Sequence, residues 1–133
     1  MIYLIDTNVC VVYLNNPQSA VAQQLRANRQ QDVAICSVVK SELFFGAMKS
    51  QRPQQTLEKQ QLFVAAFHSF PFDDKAALIF GKIRAELQRQ GKPIGPYDTQ
   101  IAAIALANDL TLVTHNTDEF SRINGLRLTD WEI

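Results

Sequence analysis

An α/β sandwich, with helices packed around a mostly parallel sheet, is the fold class this sequence predicts, and three features predict it. The runs IYLI, DVAICS and LTLVT are short, apolar and rich in β-branched or aromatic residues that do not alternate with polar ones, the composition of strands buried on both faces. Helical patterns separate these runs, as crossover connections between parallel strands require. Several acids stand just beyond the runs, where open parallel sheets bind their ligands.

The elements follow in order. IYLI is the first strand, and it stops on Asp6, Thr7 and Asn8. VCVVYLNNP then predicts a short apolar helix closed by Asn15, Asn16 and Pro17. QSAVAQQLRANRQ is helical in pattern, DVAICS returns to strand composition, and Ser37 stands where an N-cap would open the helix VVKSELFFGAMKS. Pro53 suits the first turn of a further helix running through QQTLEKQQLFVAAFHSF, which places His68 in an apolar helix. Phe70 and Phe72 flank Pro71 in a brief extended piece. Ala76, Phe80, Ile83 and Leu87 keep helical spacing, and Gly91 supplies the left-handed residue that ends such a helix. The loop GKPIGPYD, restricted by two prolines and two glycines, delivers Asp98 to the start of the helix TQIAAIALANDL. LTLVT is a buried strand, HNTDEF a polar loop, and LRL after the Asn124-Gly125 turn a final strand.

One domain over residues 1–133 accommodates this succession, with no internal repeat, low-complexity tract or linker to divide it. A hydrophobic fraction of 47% excludes intrinsic disorder, yet no segment reaches the roughly 18 apolar residues of a membrane span. The N-terminus has no basic flank, long apolar stretch or small-residue cleavage site, so a cytoplasmic location is expected. Cys10 and Cys36 lie in apolar surroundings outside any CxxC pair, and buried free thiols are expected. Thirteen basic residues balance thirteen acidic ones, which excludes nucleic-acid binding through overall charge alone. Lys82, Arg84, Arg89 and Lys92 form a local basic interval whose ordinary reading is a solvated helix face.

Chemistry is concentrated in the acids. Asp6 follows the first strand, Glu42 lies one turn into the helix after the second, Asp98 opens a late helix, and Asp118 and Glu119 follow LTLVT. In a parallel sheet such connections share one edge, so these carboxylates can converge in one crevice. Grouped carboxylates raise one another's pKa unless a cation lies between them, and a hard divalent ion such as Mg2+, or Mn2+ in its place, prefers oxygen ligands. Metal-assisted phosphodiester hydrolysis is the chemistry this permits, with no protein nucleophile. Two of the acids also have a plain structural reading. Asp6, Thr7 or Asn8 can cap the following helix, and Glu42 can point to water and pair with Lys40 or Lys49. His115 can touch phosphate or serve only its loop.

Four stretches together resemble a known family: MIYLIDTN, SVVKSELFFGA, IRAELQRQGKPIGPYDTQIAAIAL and LVTHNTDEFSRINGLRLTDW. They are similar to PIN-domain ribonucleases, and within those to the VapC toxins of bacterial type II toxin-antitoxin pairs, over nearly the whole chain. The resemblance implies a single PIN domain and a magnesium-dependent endoribonuclease with Asp6, Glu42 and Asp98 in its acidic cluster. Asp6 and Asp98 would bind the metal directly, and Glu42 and the fourth acid directly or through water. That fourth acid corresponds to Glu119, with Asp118 as its rival. Asn116 would support the site through its amide, and Thr7 and Asn8 would orient Asp6. The family further implies transfer RNA as substrate, with the initiator anticodon stem-loop foremost, a VapB-like antitoxin as partner, and a homodimer. The apolar segments VCVVYL and ELFFGAM, with Phe44 and Phe45, are either core or a groove for a partner helix.

Two alternatives stand beside this reading. Phosphatases that use an aspartate after the first strand as nucleophile need a second aspartate two positions later, where this chain has Asn8. A catalytically inert PIN fold, serving as an RNA-binding or protein-binding module, would have no use for a full set of acids, which repel RNA unless they hold metal.

Overall fold

Five short strands and seven α-helices alternate along the computed structural model, which describes Met1–Ile133. The strands are β1 (Tyr3–Ile5), β2 (Val33–Cys36), β3 (His68–Phe70), β4 (Thr111–Val113) and β5 (Leu128–Thr129). The helices are α1 (Thr7–Asn15), α2 (Ala20–Ala27), α3 (Ser37–Met48), α4 (Pro53–Val64), α5 (Asp74–Arg89), α6 (Pro96–Ala107) and α7 (Thr117–Phe120). Strand order is β3-β2-β1-β4-β5, and every pairing is parallel, so the sheet is wholly and not just mostly parallel. From β1 the chain steps outward to β2 and β3, then returns to place β4 and β5 on the other side of β1. The order therefore reverses between β1 and β4, and a crevice opens there beyond the strand ends.

Burial follows from that topology. Leu4 and Ile5 of β1, all of β2, and Leu112 and Val113 of β4 are buried on both faces, as their unbroken apolar runs require. α6 buries Ile101 to Ala105 continuously, so it is apolar all round and lies within the packing. It packs on α5 and touches α3, while α3 packs on α1 and α4. That arrangement brings the residue Glu42 of α3 towards Asp98 in the first turn of α6.

Four local expectations are corrected. Ser37 is the first helical residue of α3 and Cys36 is its N-cap, because β2 runs into α3 with no intervening loop. α4 ends at Val64, and His68 lies exposed in β3, where Ala34 pairs with His68 and Cys36 with Phe70 along the open edge of β2. HNTDEF contains a single helical turn, α7, which buries Phe120 in the core. The final strand, expected over LRL, is displaced to Leu128–Thr129, where Leu112 and Val113 of β4 pair with it. Other expectations agree: Pro53 opens α4, Gly91 takes φ 69° after α5, and Cys10 and Cys36 are free and buried. Lys82, Arg84, Arg89 and Lys92 are all exposed, a solvated face with Arg89 paired to Glu86.

Candidate active site

Asp6 is the only residue between β1 and α1, and its own backbone N–H reaches Val113 of β4, 3.1 Å away. Its carboxylate is 6% exposed and caps α1, with Oδ1 accepting from the Val9 N–H at 2.9 Å. Capping thus belongs to Asp6 itself, and one oxygen is committed to it. Thr114, fully buried at the end of β4, donates its hydroxyl to the same carboxylate and accepts the Asn116 N–H at 3.0 Å. Burial raises the Asp6 carboxyl to about 6; the hydrogen bonds from Thr114 and Val9 oppose the shift, and the charges of Asp98 and Glu132 add to it.

Glu42 faces the same crevice from α3. Thr7 donates to its Oε1 at 2.6 Å, so Thr7 orients Glu42 and does not serve Asp6. Asn8 is exposed and makes no side-chain hydrogen bond to Asp6, which leaves Thr114 and the Val9 N–H in the role expected of Thr7 and Asn8. Neither Lys40 nor Lys49 forms an ion pair with Glu42. Asp98 is half-buried in the first turn of α6, and its carboxyl is raised by burial first, then by the charges of Glu42 and Glu119.

The connection after β4 contributes the last acid. Asn116 donates its side-chain amide to Glu119 Oε2, which ties Glu119 to the loop facing Asp98. Asp118 is exposed and offers only its backbone carbonyl, to Ser121 Oγ at 2.8 Å. His115 Nδ1 lies 2.9 Å from Asp130 Oδ2 and 3.6 Å from Glu132; the Asp130 hydrogen bond raises its pKa most, and the charges of Glu132 and, last, Asp6 add to the shift.

Charge coupling through Asp98 links Asp6, Glu42 and Glu119 near the point where strand order reverses, and none of the four is in an ion pair. Acids grouped in this way suit a hard divalent ion, although the set whose ligand atoms already lie within 4.8 Å of one another is the neighbouring His115, Asp130 and Glu132. A model of the PIN domain matches residues 3–126 of this chain. The tRNA(fMet)-specific endonuclease VapC of Shigella flexneri is 42% identical over 129 residues, 97% of each chain. Ribonuclease VapC2 of Rickettsia felis is 37% identical, with 99% of each covered.

This chain belongs to the VapC family of PIN domains.

The solved structure of DNA-bound VapBC from Salmonella typhimurium agrees, with a TM-score of 0.93 at 37% identity and 98% of each chain covered. Two features of this VapC domain escape a reading of its sequence. Thr114 looks like the end of an apolar strand, and its role depends on β4 lying beside β1, a non-local pairing. A cavity of about 570 Å³ adjoins the acids, lined by Thr7, Glu42, Phe45, Gly46, Lys49 and Tyr97 among others. Phe44 packs against the core, whereas Phe45 stands 65% exposed and lies outside it.

Proposed function

We propose that this protein is a divalent-metal-dependent endoribonuclease, the toxin of a type II toxin-antitoxin pair, acting in the cytoplasm as a homodimer. Its substrate is structured RNA, with transfer RNA, and initiator transfer RNA cut in the anticodon stem-loop, as the specific target. A VapB-like antitoxin neutralises it. One observation carries the reading: Asp98 is coupled by charge to Asp6, Glu42 and Glu119, none of them in an ion pair, near the β1/β4 reversal of a chain 42% identical to a named tRNA(fMet)-specific endonuclease. The antitoxin is supported by solved relatives that are VapBC complexes, and no helix is long and apolar enough to cross a membrane.

Asp6 and Asp98 would hold Mg2+, or Mn2+ as substitute, with Glu42 and Glu119 completing the set directly or through water. Such an ion would supply Lewis acidity, lowering the pKa of water and offsetting charge on the phosphodiester. The chain itself fixes the donors. Thr114 and the Val9 N–H hold Asp6, Thr7 holds Glu42, and Asn116 holds Glu119, so three of the four carboxylates have their orientation set, while Asp98 is placed by the first turn of α6. Hydrogen bonds of this kind keep mutually repelling groups in place before substrate arrives.

The test is cleavage of total transfer RNA by the purified protein, with end-mapping of products. Cleavage is expected with Mg2+ or Mn2+, none with chelator, and at least a hundred-fold loss in a folded Asp98→Asn variant. Equal metal-independent cleavage overturns the mechanism, and RNA binding without cleavage returns the inert PIN module to first place.

A further inference from the structure

Beside the acids, the cavity between α3 and the start of α6 combines features that a metal site alone does not need. Glu42, Phe45 and Gly46 follow one another at helical spacing along α3 and Lys49 caps its C-terminal end, so the face that presents the acid also presents an aromatic ring and leads to a cation. Tyr97 joins the lining from α6, one residue before Asp98. Phe45 is 65% and Tyr97 57% exposed, although each ring would gain by burial. Lys49 Nζ lies 4.9 Å from the centroid of the Phe45 ring. Gly46 adds a further cost. A glycine inside a helix is less favourable than alanine by about 1 kcal/mol, and a Cβ built at Gly46 meets nothing within 4 Å, so packing does not demand it. A side chain at Gly46 would take up space in the cavity that this residue lines.

We infer that this cavity is a nucleobase subsite: an unpaired base of the RNA, next to the phosphodiester that is cut, stacks on Phe45 and Tyr97 while Lys49 meets its backbone phosphate. The inference rests on the ribonuclease reading. The occupant is set by chemistry and position. Of the four acids Glu42 lines the cavity, with its hydrogen-bond partner Thr7, and Tyr97 immediately precedes Asp98, so whatever fills the cavity borders one side of the acid group. Flat aromatic faces with a cation are the surface on which single-stranded bases stack, and stacking tolerates any base. Its volume falls inside the roughly 300–1,000 Å³ range of small-ligand sites. A base already unpaired in a loop can enter without the cost of melting a stem.

The experiment compares a fluorescein-labelled RNA hairpin carrying an unpaired loop with a fully duplexed RNA, both bound to the full chain carrying Asp98→Asn so that no cleavage intervenes. Adding Phe45→Ala or Tyr97→Ala is expected to weaken hairpin binding roughly ten-fold and to leave duplex binding unchanged; Phe45→Trp restores it. Gly46→Leu, which fills the cavity from a helix position, is expected to weaken hairpin binding similarly in a protein that remains folded. A 2-aminopurine in the loop should be quenched on binding, and the quench should disappear with Phe45→Ala. Hairpin binding that is indifferent to all three variants, in a chain whose Asp98-intact form cleaves RNA, overturns the subsite alone. Variants that keep RNA binding but lose the antitoxin overturn it in favour of a peptide occupant. An intact chain that neither binds nor cleaves RNA overturns the ribonuclease reading, and the subsite with it.

Discussion

Glu119 and Asp118 are neighbours with opposite surroundings. Asn116 holds the Glu119 carboxylate, and its charge is felt at Asp98, whereas the Asp118 side chain is exposed and has no partner. Glu119→Gln is therefore expected to reduce RNA cleavage at least ten-fold, and Asp118→Asn less than two-fold, with equal melting temperatures as the control. The reverse order of losses would move the fourth acid to Asp118. Sequence gave access to these residues unevenly. Asp6 was legible because an acid that abruptly ends a buried apolar run has few other reasons to be there. That Thr7 serves Glu42, 35 positions away, was not legible, since it depends on α3 packing against α1.

At the scale of elements, α5 and α6 end in the same way with different residues. After α5, Gly91 adopts φ 69° and Lys92 N–H returns to the Leu87 carbonyl at 3.0 Å. After α6, Asp109 adopts φ 56° and Leu110 N–H returns to Ala105 at 2.9 Å. A side chain in the left-handed region is disfavoured, less so for aspartate than for most residues. Arg127 offsets part of this by meeting the Asp109 carboxylate at 3.0 Å and its carbonyl at 2.8 Å, but the ion pair is exposed and worth little. Asp109→Gly is expected to stabilise the fold by up to about 1 kcal/mol, seen as a rise of a few degrees in melting temperature; a fall would show that the Arg127 pair matters more. Long elements such as α5 and α6 could be read from spacing and breakers, but β3 and α7 could not. Three or four residues hold too little periodicity, and what makes HSF a strand is the vacant edge of β2.

For the whole molecule, the acidic crevice is a concession of stability to function. Asp6 titrates near 3.8 when unfolded and at about 6 when folded without metal. The folded state thus binds the extra proton, and this group favours folding fully below about pH 3.8 and loses that advantage as pH rises through about 6. Two units correspond to about 3 kcal/mol as an upper figure, and Asp98, shifted the same way, adds to it. Metal-free Asp6→Asn is accordingly expected to melt above the natural chain at pH 7, with the gap closing near pH 4. Mg2+ should raise the melting temperature of the natural chain and leave the variant almost unchanged. Equal melting at pH 7 would remove the case for repulsion and burial as the cause.

The central place of β1 has a consequence in time. Leu4 pairs with Ala34 on one side but with Leu112 on the other, so the first strand made waits for nearly the last before its neighbours are complete. While the chain is still being translated, Asp6 and Glu42 can emerge and even fold locally, yet Asp98, Thr114 and Glu119 follow much later. A nascent polypeptide so arranged has no assembled crevice with which to attack RNA at the ribosome that is making it. The crevice can assemble only after the segment through Glu119 has been made.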